Sequence, residues 1–115
     1  MSQKNPSLVE VQNALGDLAD SLKAAKAKIK DPDKLTAINH ELIEVNHRIT
    51  MVGALIFHQQ TAALTAAVKK VAAARQDVED EIQKLDKLKV FVETVARFLG
   101  LVDEVIALAK VAIPA

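Results

Sequence analysis

Residues 49–68, ITMVGALIFHQQTAALTAAV, run for twenty positions without an Asp, Glu, Lys or Arg, in a chain of 115 residues of which 26% are charged. The stretch has no proline and a single glycine, Gly53, and the residues on both sides keep a helical apolar rhythm. It therefore reads as the middle of a helix that is dry on most of its circumference. Such a helix must be covered by its own chain, by another copy or by lipid. No other feature limits the possible folds as strongly.

The flanking sequence supplies helices to do the covering. Leu8, Val11, Leu15, Leu18, Leu22, Ala25 and Ile29 alternate in steps of three and four, a heptad seam along one helix face. Ser7 suits the N-cap of that helix, with Glu10 three residues on, and Met1–Asn5 are polar and expected to fray. Lys23, Lys26, Lys28 and Lys30 crowd its last turns, where positive charge suits the helix dipole. Asp31-Pro32-Asp33 then marks a sharp turn, with Asp31 placed to cap and Pro32 at the first helical position.

A second seam follows through Leu35, Ile38, Leu42, Val45, Ile49, Val52 and Ile56. It shifts by one residue near 59–64 and resumes at Leu64, Ala67, Val71, Ala74 and Val78. A shift of that size is a stutter, which unwinds a coiled coil without breaking it. Arg75 and Glu79 are spaced for a pair within one helix. The last seam runs Leu85, Leu88, Val92, Val95, Leu99, Val102, Ile106, Ala109 and Ile113, widened by Phe91, Phe98 and Val105, and Pro114 ends it. Gly100 lies just off this seam and suggests a kink or a close helix approach.

These patterns define an all-α fold, a single helical domain over residues 1–115. The favoured arrangement is a long-helix antiparallel coiled-coil bundle of three helices, roughly 6–30, 32–83 and 85–113. Its central helix would be about 52 residues, or about 78 Å, long. The alternative is a compact four-helix bundle with a turn near 58–61, where Thr61 could cap a new helix but no Gly or Pro marks a break. In either form the apolar surface looks larger than one thin molecule can cover, so self-association is expected. Ile49, Val52, Ile56, His58, Leu64, Val95, Leu99, Val102 and Ile106 are the expected interface.

The chemistry expected is sparse. The chain has no cysteine, tyrosine or tryptophan and three serines, and it lacks a glycine-rich loop, so nucleophilic catalysis and a phosphate cradle find no support. Fifteen basic and fifteen acidic residues leave no net charge to attract nucleic acid. His40, Glu44 and His47 share one helical face at metal-ligand spacing, but that face lies opposite the seam, so the three are weak metal candidates and no cofactor is implied. His58 forms a polar island with Gln59, Gln60 and Thr61; a hydrogen-bonded histidine that fixes register is favoured over a pH switch.

The function expected is a non-enzymatic helical scaffold, adaptor or assembly subunit. Its partners would be copies of itself or another helical protein, with no nucleic acid. A membrane-active protein that exposes 49–68 to lipid is the first alternative, and a metal-binding helical bundle the second. The amino terminus lacks a signal-peptide pattern, so the cytoplasm is the expected compartment, with signal-independent secretion left open.

Overall fold

A computed structural model describes residues 3–111. It contains four α-helices, α1 (Pro6–Lys28), α2 (Pro32–Ala54), α3 (Ala62–Lys84) and α4 (Leu88–Lys110), and no strand among the described residues. The all-α expectation holds, in its four-helix form. The three-helix arrangement does not: a helix over 32–83 is interrupted between Ala54 and Ala62. The molecule measures 48 × 22 × 16 Å, well short of the about 78 Å that an unbroken central helix would span.

Every helix is 23 residues long. Pro6 and Ala62, and likewise Pro32 and Leu88, are 56 positions apart, so the hairpin α3–α4 repeats the dimensions of α1–α2. The two hairpins lie side by side, α1 against α3 and α2 against α4. Cross-links at constant offset show that these neighbours run parallel: Asp17 pairs with Arg75, and Ser21 donates to Glu79. Arg75 and Glu79 thus bind α1 instead of each other, a correction to the local pairing expected. The neighbouring α1 presents Asp17 and Ser21 to these two side chains.

Helix starts follow local chemistry. Asn5, not Ser7, caps α1: its Oδ1 accepts from the Ser7 amide at 2.9 Å and the Leu8 amide at 3.3 Å. Pro6 explains the earlier start, since its ring presets the first helical turn and it has no amide to leave unpaired. Asn5 is only 3% exposed and is firmly bonded rather than frayed. Asp31 caps α2 and Thr61 caps α3, as their positions implied. The last helix begins at Leu88, after Leu85 closes α3 in the left-handed region at φ 43°, ψ 39°.

No Gly or Pro breaks the chain at 55–61. The Leu55 amide donates to Val52 and the Ile56 amide to Gly53, which tightens the last turn of α2. The Asn5 amide then donates to the Ile56 carbonyl at 2.6 Å, and Asn5 Nδ2 to the His58 carbonyl at 2.9 Å. These bonds come from the far end of the sequence, and they hold the crossover out of the helix. The uncharged run 49–68 is therefore the end of α2, a crossover and the start of α3, not a dry helix middle. Half of it meets solvent, including Thr50, Ala54, Phe57, Thr65 and Ala66.

The core is one cluster fed by all four helices. Phe91 and Phe98 are its largest fully buried side chains, and α4 contributes nine buried residues against four from α2. Val92, expected on the last seam, is instead 40% exposed, because the start of α4 turns Phe91 inward. Ile113 and Pro114 lie outside the described residues. No helix among the described residues is long and apolar enough to cross a membrane.

Candidate functional site

The residues expected to form an interface between copies are spent inside the chain. Val52, Leu64, Val95 and Val102 are fully buried, Ile56, Leu99 and Ile106 nearly so, and Ile49 is partly buried against the same core. Within one chain these residues pack on one another in the core. His58 is half-buried, and its Nδ1 donates to the Ala109 carbonyl at 2.8 Å. That carbonyl lies in the last turn of α4 and also accepts from the Val111 amide. His58 thus ties the crossover to α4 while its backbone carbonyl holds Asn5.

What remains open is the outer edge of α2. Past the first turn, the charged residues of this helix gather toward α4. Glu41 is buried. Arg48 donates to Asp103 of α4 through Nε at 2.9 Å and Nη2 at 3.0 Å, and its Nη1 donates to Glu44 at 2.9 Å. Burial raises the Glu41 carboxyl above its ordinary value, the Arg48 hydrogen bond lowers that of Glu44, and Asp103 raises the Arg48 guanidinium.

Beside Glu44, past the first turn, runs a stripe with no Asp, Glu, Lys or Arg of its own. Thr36, His40, Ile43, His47, Thr50 and Ala54 follow one another in steps of four and three, and every one is exposed. Ile43 is 67% exposed, and Phe57, three residues past Ala54, is 46% exposed. The two threonines satisfy their own hydroxyls: Thr36 Oγ1 donates to the Pro32 carbonyl and Thr50 Oγ1 to the Asn46 carbonyl. A hydroxyl already bonded within its own helix can be covered at little desolvation cost. This edge is a second heptad stripe, as regular as the core seam. The spacing was present in the sequence, but Thr, His and Ala gave it no apolar contrast.

His40 and His47 fall on this stripe, whereas Glu44 turns its carboxylate to Arg48. No group of three or more His, Cys, Asp or Glu among the described residues is arranged to hold a metal ion. Comparison with protein-family models, with curated proteins and with solved structures returned no match to this chain.

Proposed function

We propose that the protein is a non-enzymatic helical assembly module that joins to a second copy of itself through the outer edge of α2. The observation that carries this reading is the near-palindrome of the exposed stripe. Thr36 and Thr50 lie seven residues either side of Ile43, and His40 and His47 three and four residues either side. An isologous contact requires a patch that complements itself under a two-fold rotation. An antiparallel crossing at Ile43 sets isoleucine on isoleucine, with the histidine and threonine layers on both sides and no like charges opposed.

One helix edge per copy lies at the low end of interface size, below ~1,200 Å² in total. The dimer is therefore weak and concentration-dependent. Ile43→Glu tests it, because the two-fold would bring two carboxylates together. Ile43 is 67% exposed in the single chain, so folding stability should stay within about 0.5 kcal/mol. Sedimentation equilibrium should show the wild type moving from 12.4 kDa toward twice that mass with concentration, and the variant remaining monomeric. Unchanged association by Ile43→Glu contradicts the reading.

A second reading, contact with a lipid surface, draws support from one feature, the half-exposed Phe57 on an uncharged crossover. Flotation of the chain with vesicles separates the two.

A further inference from the structure

At the end of the bundle away from the crossover, the ends of α1 and α3 and the start of α2 line a cleft of about 340 Å³. Small-molecule sites span ~300–1,000 Å³, so the volume is sufficient for a small ligand. Its floor is apolar: Ile82 and Leu85 are each 5% exposed, and Ile29 is partly buried beside them. Its rim carries Lys28, Lys34 and Lys84, from three different helices, and no carboxylate lines it.

Lys28 and Lys84 end α1 and α3, where helix dipoles favour a cation. Lys34 has no such explanation, since it stands in the first turn of α2, the positive end. Asp31, the acid beside it, accepts from the Asp33 and Lys34 amides instead. The ion pairs among the described residues use Arg48 and Arg75 and none of these lysines. The floor also holds the one non-glycine residue with positive φ among those described, Leu85. Leu85 is the left-handed residue that ends α3, so the cleft floor is built at a fixed helix terminus.

We infer that this cleft binds a small organic anion with an apolar tail, the head group held by Lys28, Lys34 and Lys84 and the tail lying on Ile29, Ile82 and Leu85. The cleft lining itself holds three lysines and no carboxylate, so an anion bound there meets cations and no like charge. An apolar tail gains by covering the floor. The cleft shares no residue with the exposed edge of α2, so Ile43→Glu leaves this binding unchanged.

Titrating the full chain with octanoate, octyl phosphate, octanol and inorganic phosphate, followed by amide chemical shifts, tests the inference. At least one octyl anion should shift the Ile29, Ile82 and Leu85 amides and bind at least tenfold more tightly than octanol or inorganic phosphate. The triple variant Lys28→Ala, Lys34→Ala, Lys84→Ala should keep its helical circular dichroism and lose at least tenfold in affinity for that anion. Octanol binding as tightly as both anions, shifts confined to other regions, or full affinity in the triple variant would overturn it.

Discussion

Glu41 is the one acid of the chain that the fold withdraws from water, at 4% exposure on α2. Burial disfavours its charged form more than nearby Arg48 and His40 favour it, so its carboxyl sits above the ordinary value. Folding therefore favours the proton on Glu41. The associated stability is fully present below the unfolded value, about 4.3, and is lost as pH rises through the folded value. At neutral pH the ionised group is a cost, and Glu41→Gln should raise the melting temperature at pH 7. That gain should shrink on acidification and vanish below about pH 4. A variant less stable than wild type at pH 7 would mean that the charged form is held by a partner. Glu41 lies between Ile38 and Val45 on the buried stripe of α2, a place that its charge hides from a reading of apolar periodicity. Asn5 shows a related limit: the cap is expected at Ser7, and neither the Asn5 cap nor its bonds to Ile56 and His58 follow from periodicity.

At the scale of elements, hairpin turns and crossover differ in kind. Asp31-Pro32 carries its own stop and start chemistry, and the turn falls where those residues place it. The crossover depends on hydrogen bonds from Asn5, some fifty residues away, so periodicity alone carries the helix straight through it. A charge-free run was equally ambiguous, because Ala, Thr and Gln serve an exposed helix face as well as a buried one. Gly100 gives a further correction, since α4 runs through it without a break and a Cβ there would meet nothing within 4 Å. Neither a kink nor a close approach requires glycine at this position. Gly100→Ala should therefore stabilise the fold by about 0.5–1 kcal/mol through helix propensity and reduced unfolded-state entropy. Urea unfolding should show a higher midpoint at unchanged slope. A lower midpoint would place a contact at Gly100. Gly53 differs, because its Cβ would stand 3.1 Å from Gln12 Nε2.

At the scale of the molecule, two equal hairpins laid in parallel bury most of the seam residues, and the uncharged edge of α2 stays exposed. The candidate site was legible only as a negative, the face of His40 and His47 set opposite the seam. Its exposure follows from the seam residues lying inside one chain. A concentration series in small-angle X-ray scattering tests both halves of this account together. Extrapolated to zero concentration, the radius of gyration should approach the 14.7 Å of the Cα trace, slightly enlarged by side chains and hydration. It should rise with concentration as dimers form, and Ile43→Glu should remove the rise. A particle close to 78 Å long at the lowest concentration, the length of about 52 helical residues, would contradict the four-helix fold. A radius flat across the series would contradict the assembly role.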